Sequence, residues 1–151
     1  MKRCVPLAIA VSLLASCTPT LPRREPPRAI DEENAIALEN DFVAITFDRA
    51  KKGNLVQYRD KTSNRDFLAP NMDKAFLYQF IALDAKGKRE YFFNTQAKES
   101  SISFHRNALT IRNSCHRDKP ITVTVTCTIS ADSPLTRWRI AIDNKSDLKI
   151  R

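Results

Sequence analysis

The chain has 151 residues, 42% hydrophobic and 28% charged, an ordinary balance for one globular domain with a packed core. With 25 Lys and Arg against 17 Asp and Glu, the formal charge is +8, or about +6 without Lys2 and Arg3. The charge is spread along the chain rather than gathered in one run. That argues against a nucleic-acid groove and leaves acidic sugars and anionic lipid head groups as candidate partners.

The chain opens "MKRCVPLAIAVSLLASC". Lys2 and Arg3 precede an apolar run from Val5 to Ala15, followed by small residues and Cys17. A bilayer core needs about twenty apolar residues, so this run reads as a helical secretory signal and not as a permanent anchor. Leu14-Ala15-Ser16-Cys17 resembles the lipobox of bacterial lipoproteins. The resemblance implies cleavage between Ser16 and Cys17 and a lipid on Cys17, whose sulfur is the nucleophile that takes the diacylglyceryl group. Several acyl chains on one residue anchor stably where one is marginal. Thr18 after the cysteine, where an aspartate would mark inner-membrane retention, implies the outer membrane if the cell is Gram-negative.

"TPTLPRREPPRAIDEEN" follows, with Pro19, Pro22, Pro26 and Pro27 among charged residues; it reads as an extended tether. Asp31 and Glu32 offer the start of one short helix before Ala35–Glu39 turns extended. Cys4 leaves with the signal and Cys17 carries lipid, so only Cys115 and Cys127 are left to pair. A hairpin of Leu109–Cys115 with Ile121–Ile129 sets Cys127 opposite a residue near Ala108, too far from Cys115 for a disulfide.

From Ile36 onward the apolar period is two. "FVAITFD" (Phe42–Asp48), "LVQYRD" (Leu55–Asp60), "ALTIRNS" (Ala108–Ser114) and "ITVTVTCTI" (Ile121–Ile129) read as strands with one dry and one wet face. Turns are expected at Lys52–Asn54, Thr62–Asn64, Asp84–Gly87, His116–Pro120, Asp132–Pro134 and Asn144–Ser146, with Asn54, Asn64 and Asn144 in left-handed positions. The pattern predicts nine or ten short antiparallel strands in a sandwich. "AFLYQFIAL" (Ala75–Leu83) is apolar on both phases and reads as a central strand covered on both sides, with Phe76, Tyr78 and Phe80 as core rather than as a sugar-stacking platform.

"LENDFVAITFDRAKKGNLVQYRDKTSNRDFL" and "ADSPLTRWRIAIDNKSDLKIR" resemble the opening β-sandwich, of galactose-mutarotase-like type, of large bacterial proteins related to glycoside hydrolases. In that family, further strands and a catalytic (β/α) barrel follow. The resemblance spans Leu38 to Arg151. It implies a sandwich truncated at its C-terminus, where Leu148 and Ile150 resume the alternation, with an open edge, an incompletely covered apolar face and a tendency to self-associate. It also places the catalytic carboxylates on the barrel, so no catalytic residue is assigned here. Asp41, Asp48, Glu90 and Asp132 read as solvated groups at turns and strand ends.

Other chemistry has thin support. Mutarotation needs a His and a carboxylate converging on one sugar. His105 lies in a strand in the opposite phase to Phe104, whereas His116 in "CHRDKP" reads as a solvated hairpin tip. No His/Cys spacing suits a metal, and no nucleophile elbow or phosphate loop is present. Arg137 and Arg139 flank Trp138, whose phase with Ile140 and Ile142 points it inward, so the arginines point outward toward sugar hydroxyls or carboxylates. His105, Arg137 and Arg139 are therefore the candidate carbohydrate contacts.

The expectation is a signal (1–16), a lipidated tether (17–34) and an all-β antiparallel sandwich (35–151), lipid-anchored in the bacterial envelope and working without cofactor. Its partners would be the membrane, carbohydrate, and a separate catalytic barrel or a second copy at the open edge, with no nucleic acid. The alternatives are a mutarotase-type epimerase and a periplasmic protein-binding module.

Overall fold

The computed structural model describes residues 24–68 and 76–151. The signal segment, the Ser16–Cys17 junction and the first part of the tether lie outside the described residues. The remainder is an all-β antiparallel sandwich built from three sheets.

The first sheet has five strands in chain order: β1 (Arg28–Asp31), β2 (Ala35–Glu39), β3 (Val43–Asp48), β4 (Asn54–Asp60) and β5 (Arg65–Asp66). The second has three, with β6 (Gln79–Leu83) between β7 (Arg89–Phe93) and β12 (Lys149–Ile150). The third has four, ordered β11-β10-β9-β8, from β8 (Ala97–His105), β9 (Ala108–His116), β10 (Ile121–Ile129) and β11 (Thr136–Asn144).

Strand β10 shows why the layers assemble as they do. Its odd residues are buried and its threonines alternate with them on the outer face. Ile121, Val123 and Val125 pack with Tyr78, Phe80, Ala82, Phe92 and Leu148 of the three-stranded side. Cys127 and Ile129 continue the same face and pack, with Leu109 and Ile111, against Ile36, Leu38, Val43, Ile45 and Phe47 of the five-stranded sheet. The two smaller cores are thus neighbours on one inner face. Each fully buried aliphatic or aromatic side chain contributes about 1.5–3 kcal/mol.

Several local expectations change. No helix starts at Asp31. Arg28–Asp31, assigned to the tether, instead pairs with β2, Arg28 opposite Glu39 and Asp31 opposite Ile36. Glu32 N–H donates to the Ala35 carbonyl at 2.9 Å and closes the turn. The free edge of β2 satisfies more backbone groups than one isolated helical turn would, since a short helix in water is marginal. Of the segment expected to be covered on both sides, Phe76–Leu83 is fully covered on one side only: Tyr78, Phe80 and Ala82 are buried, while Ile81 and Leu83 are half-buried, Gln79 is exposed, and Phe76 is exposed against Phe93. Of the three asparagines expected in left-handed positions only Asn64 has positive φ; Lys52, Arg106, Cys115, Arg117 and Asp118 are the others. Arg117 and Asp118 form a two-residue hairpin turn in which the Lys119 N–H donates to the His116 carbonyl, and both central residues of such a turn need φ above zero.

The β3–β4 pair carries an irregularity with a consequence for the core. Phe47 pairs with Leu55 but Thr46 pairs with Gln57, so Val56 is an extra residue. The bulge brings Leu55 and Tyr58, which differ in phase, to the same inner face, and both pack on the core. In the preceding turn Gly53 lies directly on Ile111, whose side chain would stand 2.9 Å from any added Cβ.

Strand β11 follows its predicted phase but lacks cover. Trp138, Ile140 and Ile142 lie opposite Cys127, Val125 and Val123, on the inner face, yet they are 38%, 54% and 37% exposed. Trp138 packs on Phe47 at 5.9 Å between ring centroids. Cys115 and Cys127 are not bonded to each other; Cys127 is buried opposite Leu109.

Candidate functional site

The expected sugar contacts share one surface. His105 pairs with Ala108, Ala108 with Thr128 and Thr128 with Arg137, a single row across the outer face of the four-stranded sheet. Arg139 lies in the next row, opposite Thr126, which pairs with Thr110 and through it Ser103. The face is wet and hydroxyl-rich. His105 and Arg137 occupy opposite edges of it, separated by three interstrand steps or about 14 Å. Neither the arginines nor His105 makes a side-chain hydrogen bond or ion pair among the described residues. They share a face but do not converge.

Arg137 also borders a cleft of about 580 Å³ at the end of the β10–β11 pair, with Asn107, Thr128, Ser133 and Trp138 around it. The loop forming one wall is held from below. Buried Asn40 donates from Nδ2 to the carbonyls of Ser130 at 2.6 Å and Ser133 at 2.9 Å, while its Oδ1 accepts from the N–H groups of Phe42 and Val43. Trp138 Nε1 donates to Thr136 Oγ1 at 3.0 Å, so its polar edge is already engaged.

A second concavity escaped the sequence reading. On the outer face of the five-stranded sheet, Ala35 and Ala37 of β2 and Ala44 of β3 sit in the phase opposite to Ile36, Leu38, Val43 and Ile45. Small outward residues on two adjacent strands leave a groove of about 520 Å³. The walls carry Glu39, Thr46, Gln57, Arg59 and Lys61, presenting carboxylate, hydroxyl, amide, guanidinium and ammonium groups around an alanine floor.

The groove is electrostatically organised around Glu39. This carboxylate is only 9% exposed and accepts from Arg28 Nε at 2.7 Å and Lys61 Nζ at 3.4 Å. Lys61 also donates to the Asn40 carbonyl at 2.8 Å, and the Arg28 guanidinium is held more firmly protonated by its bond to Glu39. The turn after β4 is fixed by Asp60, which accepts from the hydroxyls of Thr62 and Ser63 and is drawn down to about 2 by those bonds. Gln57 meets Thr46 at 3.4 Å, and Arg59 donates to Asn64. The polar rim is therefore largely positioned before any ligand arrives. Only the pairing of β2 with β3 and of β3 with β4 reveals it, through the rows Ala37–Thr46–Gln57 and Glu39–Ala44–Arg59.

The histidines are placed differently from expectation. His116, read as a solvated tip, has no exposed surface. Its Nδ1 donates to the Ile121 carbonyl at 3.0 Å, which leaves Nε2 as the acceptor of the Tyr78 hydroxyl at 2.7 Å. Burial lowers its pKa, and burial raises that of Tyr78. The two-residue turn at Arg117–Asp118 is what carries the charges to solvent while folding His116 under the aromatic cluster of Tyr78 and Phe80. His105, by contrast, is exposed at the end of β8. Among the described residues neither histidine bonds to a carboxylate, and no three His, Cys, Asp or Glu side chains are grouped as metal ligands.

No protein-family model matches the chain, and no curated protein matches it.

Proposed function

We propose that this protein is a non-catalytic, carbohydrate-contacting β-sandwich module of a lipid-anchored bacterial envelope protein, with Cys17 as the lipid-bearing residue. The observation that carries the sugar reading is the alanine-floored groove on the five-stranded sheet. A pyranose ring offers several hydroxyls, each both donor and acceptor, and is bound where fixed donors and acceptors surround a shallow apolar floor. Glu39, Gln57 and Thr46 supply acceptors, and Arg59, Lys61 and the Gln57 amide supply donors. Arg28 and Lys61 are both engaged with the Glu39 carboxylate, whereas Arg59 pairs with no carboxylate among the described residues, which makes Arg59 the contact for a uronate carboxylate.

The envelope location rests on the Leu14–Cys17 sequence. The resemblance to sandwiches that precede catalytic barrels supports a supporting role in polysaccharide processing, in which the module holds substrate near an active site elsewhere.

The test is calorimetric titration of the full chain with neutral and uronate-containing oligosaccharides, repeated on Ala37→Leu. Ala37 faces outward, so the larger side chain fills the groove without entering the core. Saturable binding that Ala37→Leu abolishes, in a protein with unchanged circular dichroism, supports the reading. No binding by any oligosaccharide, or binding indifferent to Ala37→Leu, overturns it.

A further inference from the structure

Among the described residues, the four-stranded sheet ends in β11, nine residues long and hydrogen-bonded on one side only. The edges of the other two sheets are shorter: β1 has four residues, β5 and β12 two each, and β7 five. The opposite edge of the same sheet, β8, carries Lys98 and Glu99 and only half-buried Ile102 and Phe104 among polar neighbours. β11 has none of the usual guards of a free edge: it contains no proline, no bulge and no inward-pointing charge. Its inner face instead presents Trp138, Ile140 and Ile142.

The backbone phase of this edge follows from the pairing. The Lys145 N–H donates to the Pro120 carbonyl at 3.0 Å, so the odd-numbered residues of β11 bond to β10. In an antiparallel ladder the alternate residues then aim N–H and C=O outward. Those are Thr136, Trp138, Ile140, Ile142 and Asn144.

We propose that a second copy of this chain occupies the edge, β11 pairing antiparallel with the partner's β11 about a two-fold axis at Ile140. The edge is complementary to itself. In that register Ile140 meets the partner's Ile140, and Trp138 meets the partner's Ile142, extending the apolar inner strip across the axis. On the outer face Arg137 meets the partner's Asp143, twice by symmetry, and Arg139 meets the small Ala141. Thr136 meets Asn144. Every outward-aimed backbone group from Thr136 to Asn144 gains a partner, and the aromatic–β-branched and opposite-charge pairs are the kinds that stabilise neighbouring strands. A two-fold interface requires that one patch be its own complement, and the order Arg137…Asp143 around Ile140 meets that requirement. The result is a continuous eight-stranded sheet. This association is independent of the carbohydrate reading, because the alanine groove lies on the five-stranded sheet.

Sedimentation equilibrium of the full chain measures the association, and Trp138, the one tryptophan of the sequence, reports it by fluorescence. A concentration-dependent dimer with blue-shifted emission is expected. Ile140→Lys sets two ammonium groups together on the axis and should give a monomer with unchanged circular dichroism. Arg137→Asp and Asp143→Arg should each weaken the dimer about tenfold or more, and the double variant should restore it. A folding defect would not be rescued in that way. A monomer at all concentrations, a dimer indifferent to Ile140→Lys, or failure of the double charge swap to restore association overturns the proposal. So does an edge that pairs only with a different protein.

Discussion

The Tyr78 hydroxyl donates to Nε2 of His116 at 2.7 Å, a buried hydrogen bond that helps to join the three-stranded side to the end of β9, beside the packing of Phe80 on the same imidazole. Nδ1 donates to the Ile121 carbonyl and Nε2 accepts from Tyr78, an arrangement that uses the neutral imidazole. Burial lowers its pKa below the ordinary 6.5, with the Ile121 bond opposing that shift only in part. Well above pH 6.5 the histidine is neutral folded or unfolded and adds no pH dependence. As pH falls below 6.5 the unfolded chain binds the proton first, so stability drops, by up to about 1.4 kcal/mol per pH unit for one proton, until the folded imidazole is protonated too. Urea denaturation midpoints at pH 7.5, 6.5 and 5.5 should show a fall that is steeper over the lower interval, flattened in His116→Phe. Tyr78→Phe, which leaves Nε2 without its donor, should cost about 1–2 kcal/mol at pH 7.5.

Gly53 has φ +83° and faces Ile111, with no room for a Cβ. Gly53→Ala meets both a left-handed backbone and a side chain in the core, and should cost about 2–3 kcal/mol. Gly87 has φ +79° but open space around it, so Gly87→Ala carries the backbone cost alone, about 1 kcal/mol. Thermal denaturation of the two variants separates steric contact from conformation. Equal losses would mean that the β3–β4 turn does not press on the four-stranded sheet.

Asn94, fully buried in the turn after β7, ties the sheets through polar groups alone. Its Nδ2 donates to the carbonyls of Lys51 at 3.1 Å and Lys52 at 3.3 Å and contacts Asn54, while Oδ1 accepts from the Leu77 N–H at 3.1 Å. Asn94→Ala takes the acceptor from the Leu77 N–H and the donor from the Asn54 amide, while the Lys51 and Lys52 carbonyls keep the Asn54 N–H and Asn113 Nδ2, and should destabilise by about 2 kcal/mol. Asn94→Asp keeps the acceptor for Leu77 but points a carboxylate at backbone carbonyls, so it should be no better than alanine. Hydrogen exchange should show the Leu77 amide losing protection in the alanine variant and retaining more of it in the aspartate variant.

The alternation of Ile121–Ile129 determined by itself that this segment is a strand, which residues face inward, and that Cys127 is a core residue rather than a disulfide partner. The same logic determined the all-β fold and the phase of Trp138, Ile140 and Ile142. Cover is another matter. Trp138 and Val125 follow the same pattern, yet only Val125 has a sheet above it, because β10 is central and β11 is an edge. His116 sits among charges in sequence, but the tight turn at Arg117–Asp118 folds it inward. The groove likewise needed the register that sets Ala37 beside Thr46 and Gln57, and the bulge at Val56 that corrects the phase of Tyr58. Side-chain direction along a strand is a local property that successive residues dictate. Whether a face is buried, or two residues adjoin, depends on strands far apart in the chain, and only the assembled sheets decide it.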